Sequence, residues 1–174
     1  MTHCYRASVR WTGNRGTGTS SYRAYGRDHL IAFEGKPELL GSSDPVFRGD
    51  RSRYNPEELL VASLSACHML GYLHLCAESD LVVETYSDEA SGAMETTPDG
   101  SGRFVLVTLH PAVTIRSGSP DRATELHTRA HEICFIANSV NFPVRCEPTV
   151  RLLSQADRGS TYAEGPEPAG PKGS

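Results

Sequence analysis

Residues 4–11 and 21–33 are short stretches holding Val, Tyr, Ile and Phe on either side of the Gly-rich segment 13–18, a pattern that predicts strands joined by a flexible turn. Between residues 35 and 54, Gly35, Pro37, Gly41, Pro45 and Gly49 alternate with Arg48, Arg51 and Arg53, which predicts a long polar loop of the kind that often carries function. The pattern changes at Asn55. Asn55 suits an N-cap, Pro56 the first helical position and Glu58 the acidic position of a capping box, so a helix is predicted from here. Residues 59–77 are apolar nearly all round, as in a helix buried on most faces. His68, His74, two serines and a glycine dilute the run, and no basic cluster or aromatic belt flanks it, so a core helix is preferred to a membrane span.

Residues 81–87 and 103–116 read as two strands, the second with Val105, Val107, Leu109, Val113 and Ile115 alternating, and the turn residues 97–100 between them predict one long hairpin. Ser119-Pro120 opens a second helix with Ala123, Leu126, Ala130, Ile133, Cys134 and Ala137 at helical spacing until Asn141 and Pro143 end it, which places Cys134 on the inward face. Residues 144–153 predict a final strand, and residues 154–174, rich in Gly, Pro, Ser and Glu, a disordered tail. The expected architecture is α+β, with antiparallel sheets wrapping two central helices in a single domain over residues 1–153. So apolar a first helix needs cover on every side, which a dimer sharing its core would supply.

With 174 residues and 38% hydrophobic composition the chain can build one core. Lys plus Arg number 17 against 21 Asp plus Glu, a net charge of −4 with no long basic run, so nucleic acid is not an expected partner. The N-terminus has neither an apolar stretch nor a small-residue cleavage pattern, and a cytoplasmic address is expected. Five cysteines, at 4, 67, 76, 134 and 146, show no short paired spacing, which argues against a disulfide framework and a zinc ribbon. In a reducing compartment a cysteine that matters is more apt to react than to staple.

Two core helices packed side by side can bring Cys67 and Cys134 together, although both also suit small buried core positions. A thiol that reduces peroxide must be a thiolate held beside a positive charge. The sulfenic acid it forms needs a second thiol in reach to escape over-oxidation. Cys76, nine residues past Cys67, falls on the opposite helix face and reads as packing; Cys4 and Cys146, in strands near the ends, are given no role.

The run Asn55-Pro56-Glu57-Glu58-Leu59-Leu60, followed by Ala66-Cys67-His68-Met69-Leu70, and the later run Cys134-Phe135-Ile136-Ala137-Asn138-Ser139-Val140 resemble the two cysteine motifs of the OsmC/Ohr family. The likeness covers roughly residues 5–153. It implies a peroxidase that reduces organic hydroperoxides through two cysteines, as an intertwined homodimer, with a dithiol reductant of the dihydrolipoyl type and no metal, haem or flavin. Carried over, Cys67 matches the peroxidatic thiol, Cys134 the resolving thiol and Glu57 the acid that pairs with an active-site arginine. That arginine falls at Arg48 with a one-residue insertion, or at Arg15 by a second pattern, Arg48 being preferred. Ten helical residues put Glu57 roughly 15 Å from Cys67. Either the helix breaks between them, or Glu57 serves a thiol of a second subunit. Where many members have Phe after the first cysteine, this chain has His68.

The histidines support a competing function. His127, His131 and Cys134 are spaced i, i+4, i+7 and share one helical arc. With Cys67, His68 or His74 they would complete a tetrahedral metal set in a non-catalytic redox-sensing or metal-binding module.

Overall fold

A computed structural model describes residues 1–154; apart from Ser154, the expected tail lies outside the described residues. The chain falls into two compact units, Met1–Leu64 and the segment from Ser65 onward.

In the first unit, β1 (Ser8–Trp11), β2 (His29–Ala32) and β3 (Leu39–Gly41) form an antiparallel sheet in that order. Val9 pairs with Ile31, and Ile31 with Leu39. The two predicted strands are present but shorter than expected, because residues 12–28 turn on local hydrogen bonds. Asn14 Oδ1 accepts from the N–H groups of Gly16 and Gly18 at 2.9 and 3.1 Å, and Trp11 Nε1 donates to the Gly26 carbonyl at 2.8 Å. A side chain at Gly13 would collide with that same carbonyl. The expected loop over residues 35–54 contains β3 and a single 3-10 turn at Pro45–Phe47, capped by Asp44, whose Oδ1 accepts from Val46 N at 2.8 Å. A three-residue edge strand is too short to leave a period in the sequence; its pairing with β2 creates it.

α1 (Pro56–Glu78) opens as predicted. Asn55 Oδ1 accepts from Glu58 N at 2.7 Å and Glu58 Oε2 accepts from Asn55 N at 3.2 Å, the reciprocal capping box. The expectation of burial on most faces does not hold for the single chain. Full burial is confined to Leu64, His68, Tyr72 and Cys76, every fourth residue and so one narrow stripe. Leu70 is 65% exposed. By length and composition α1 would pass for a membrane span, yet its buried stripe carries His68 and Tyr72, which pack on His127 of the same unit.

The second unit contains β4 (Val82–Asp88), β5 (Ser91–Thr96), β6 (Gly102–Leu109), β7 (Pro111–Ser117), α2 (Pro120–Ile133), β8 (Val144–Cys146) and β9 (Thr149–Leu152). They build two three-stranded sheets, β4-β7-β9 and β5-β6-β8. The architecture is α+β as expected, but the sheets are mixed, since β8 and β9 join β6 and β7 in parallel. The single long hairpin is corrected to four strands. The turn at residues 97–100 joins β5 to β6, and the predicted strand over 103–116 is broken at His110. Pro111 has no N–H to continue a ladder, and the His110 N–H bonds the Asp88 carboxylate at 2.7 Å. β5 was not predicted, because Gly92 and Ala93 have little strand preference and all its residues are exposed. The C-terminal strand likewise divides at Glu147-Pro148, where the chain passes from one sheet to the other.

α2 begins at Ser119, whose Oγ accepts from Arg122 N at 3.3 Å. It ends at Ile133, earlier than predicted. Cys134 has turned to an extended ψ of 110°, with its N–H on the His131 carbonyl. Tyr72 and Cys76 of α1, Leu81, Val113 and Ile115 of β7, and Ala123, Leu126 and Ala130 of α2 form the core of this unit.

Candidate active site

Gly71 on α1 marks where the two helices meet: a Cβ there would sit 3.9 Å from the Ala130 carbonyl and from Ile133 Cγ1. One turn before Gly71 stands Cys67, and just beyond Ile133 stands Cys134. The two thiols are neighbours that act on one another electrostatically. Cys134 is 3% exposed, whereas Cys67 is half-buried. Burial pushes the Cys134 thiol up, the neighbouring Cys67 adds to this, and the N–H groups of Ala137 and Ile136 oppose it. Cys134 therefore reaches Cys67 from a helix cap rather than from within a helix, as the sequence had implied. A neutral, enclosed thiol beside a more accessible one is an arrangement able to close a disulfide.

Glu57 lies in the first turn of α1 with its Oε2 buried and without a hydrogen-bond partner among the described residues. Arg48 closes the 3-10 turn in a left-handed conformation (φ 66°) and is exposed. Arg15 is also exposed, its guanidinium beside Gly26. No ion pair joins either arginine to Glu57 among the described residues. The arginines that line a cavity with Asn55 and Glu58 are Arg51 and Arg53. Arg53 is held 3.5 Å from Asp50 and 3.8 Å from Asp28. α1 is continuous from Pro56 to Glu78, which removes a helix break as the means of bringing Glu57 to Cys67.

A second cluster lies in the same unit. His68 Nε2 is 3.0 Å from His127 Nδ1, and Cys146 Sγ is 3.5 Å from the first and 3.9 Å from the second. The Tyr72 ring stacks on His127 at 3.8 Å between centroids and 11° between planes. Burial, reinforced by His131 and opposed by Asp88, lowers His68 to about 4. Burial and the neighbouring His68 lower His127 to about 3. Burial, with Asp88 and Glu147, pushes Cys146 up to about 12. All three are neutral at pH 7. The helical arc expected to hold a metal is corrected: His127 turns to His68 and Cys146, while Cys134 leaves the arc at the helix cap, and His74 is exposed and 3.5 Å from Glu78. Cys146, given no role from sequence, is a member. Its only signal there was its residue type, since the pairing of β8 with β6 fixes its place.

The OsmC family model, for OsmC-like proteins, matches residues 49–149. Among solved structures, an OsmC-like protein of unknown function from Vibrio cholerae is 32% identical with a TM-score of 0.77, covering 85% of this chain and 100% of its own. The chain belongs to the OsmC family. Two further OsmC-family folds are similar at lower identity. An organic hydroperoxide resistance protein from Legionella pneumophila is 20% identical (TM-score 0.64, covering 86% of this chain and 98% of its own). One from Elizabethkingia anophelis is 19% identical (TM-score 0.62, 88% and 100%). No curated protein matches. The OsmC match contains both Cys67 and Cys134 as well as Glu57, and leaves Arg48 and Arg15 before its first residue.

Proposed function

We propose that this OsmC-family chain is a thiol peroxidase for organic hydroperoxides, with Cys67 as the attacking thiol and Cys134 as its resolving partner. The observation that supports this most is the proximity of the half-buried Cys67 to the buried Cys134, close enough for the two thiols to act on one another. The Cys67 thiolate attacks the distal oxygen of ROOH; the O–O bond breaks, sulfur becomes sulfenic acid, and the alkoxide leaves with a proton as ROH. The Cys134 thiol then displaces water from the sulfenic acid to give the disulfide. A dithiol of the dihydrolipoyl class returns both sulfurs to thiols and is itself oxidised to a disulfide.

In this reading Glu57 pairs with an arginine, Arg48 before Arg15, and that arginine stabilises the thiolate and the departing alkoxide across a homodimer. Two observations support that arrangement. The half-buried Glu57 carboxylate has one buried oxygen without a partner among the described residues, and a carboxylate oxygen withdrawn from water without a partner favours an incoming cation. The apolar flank of α1, with Leu70 open to solvent, offers a second copy a surface to cover. The test is turnover of an organic hydroperoxide with a dithiol reductant. Cys67→Ser is expected to abolish it, and retained turnover in that variant would overturn the assignment.

A further inference from the structure

The histidine–thiol cluster draws one atom from each of three elements: His68 from α1, His127 from α2 and Cys146 from the end of β8. A tetrahedral zinc-type ion, with bonds of about 2.05 Å to nitrogen and about 2.3 Å to sulfur, sets its ligand atoms about 3.3 Å apart for N and N and about 3.6 Å apart for N and S. The corresponding separations here are 3.0, 3.5 and 3.9 Å, within a few tenths of an ångström. Two imidazoles and a thiol are the borderline-soft donor set such ions prefer, and three protein ligands leave one position open.

We propose that His68, His127 and Cys146 form a binding site for a divalent transition-metal ion of the zinc class. Without metal the two rings lie within 7° of parallel and their facing nitrogens share one hydrogen bond. Binding replaces that bond. The rings pivot until both lone pairs point at the ion; the ring that donated the bond loses its proton from the inner nitrogen and gains one from solvent on the outer, so that both rings stay neutral with their single protons on Nδ1 of His68 and Nε2 of His127. Both outer nitrogens are buried and without hydrogen-bond partners among the described residues. The Cys146 S–H bond breaks as the sulfur–metal bond forms, its proton passes to solvent, and no electron is transferred. Asp88 supplies a favourable field: its carboxylate acts on both His68 and Cys146 and is fixed by Ser65 Oγ at 2.6 Å and His110 N at 2.7 Å. The site uses neither Cys67 nor Cys134, so a bound ion leaves the redox pair free.

The test is titration of Co(II) into the full chain after chelator treatment and reduction, followed by competition with Zn(II). One ion per chain is expected, with a sulfur-to-cobalt charge-transfer band, and Cys67→Ser is expected to keep both. Cys146→Ser should lose the band and bind zinc at least ~100-fold more weakly, beyond the ~10–100-fold typical of losing an outer-shell partner. On the unaltered chain, zinc should protect Cys146 from alkylation and leave Cys67 open to it, a readout that needs no variant to fold. Absence of the band in the unaltered chain, its persistence in Cys146→Ser, its loss in Cys67→Ser, or alkylation of Cys146 unchanged by zinc would each overturn the proposal.

Discussion

One equivalent of an organic hydroperoxide should link Cys67 to Cys134, and the bond should make the folded chain harder to unfold. A cross-link between positions 67 and 134 removes loop-closure entropy from the unfolded chain, and for a loop of this size that amounts to ~4 kcal/mol. Strain in the closed bond offsets part of this. The two thiols are already neighbours, and Cys134 lies outside the regular helix, at its cap, so little rearrangement is asked of the backbone. A gain of roughly 2–4 kcal/mol is therefore expected. For a chain of this length each kcal/mol moves the midpoint by about 2–4 °C, giving a rise of roughly 4–16 °C. Calorimetry of reduced and oxidised protein reads the shift, and peptide mapping under non-reducing conditions identifies the bond. Cys134→Ser should stop at the sulfenic acid and gain no stability. A mapped Cys67–Cys134 bond with an unchanged or lower midpoint would refute the argument that the pair is already positioned, and a bond between other cysteines would refute the pairing itself.

Two further outcomes follow from the core. His68 and His127 are held neutral when folded, at about 4 and about 3 against an ordinary 6.5, so between those values the unfolded chain binds the protons first. The stabilisation is complete above pH 6.5 and is lost as pH falls toward 4, on the order of 3 kcal/mol for either residue. Urea denaturation at pH 7 and pH 4.5 with a chelator present should show this drop, and His127→Asn should reduce it to the share of His68; an equal drop in that variant would assign the effect elsewhere. Leu126, 4% exposed in the core, should cost about 2–5 kcal/mol when changed to Ala, seen as a lower urea midpoint at unchanged slope, and a loss under 1 kcal/mol would mean the site collapses around the cavity.

The start of α1 was legible because a helix cap is a local device: Asn55, Pro56 and Glu58 lie within one turn, and the hydrogen bonds they make are with each other. The end of α2 was not. Ala137 and Cys134 continue the apolar spacing, yet the chain leaves the helix at Cys134, where the thiol meets Cys67 from another element. β5 was invisible for the same reason, since its exposed residues owe their strand conformation to pairing with β6.

By itself the sequence determined the class of fold, the capped apolar helix and the two cysteines whose motifs mark the family, because propensity, capping and spacing act over a few residues. Only the tertiary structure decided that His127 joins His68 and Cys146 rather than Cys134, and that burial on α1 is limited to one stripe. Those outcomes depend on contacts between residues as far apart as 68 and 146, and side-chain type along the chain carries no record of such distances.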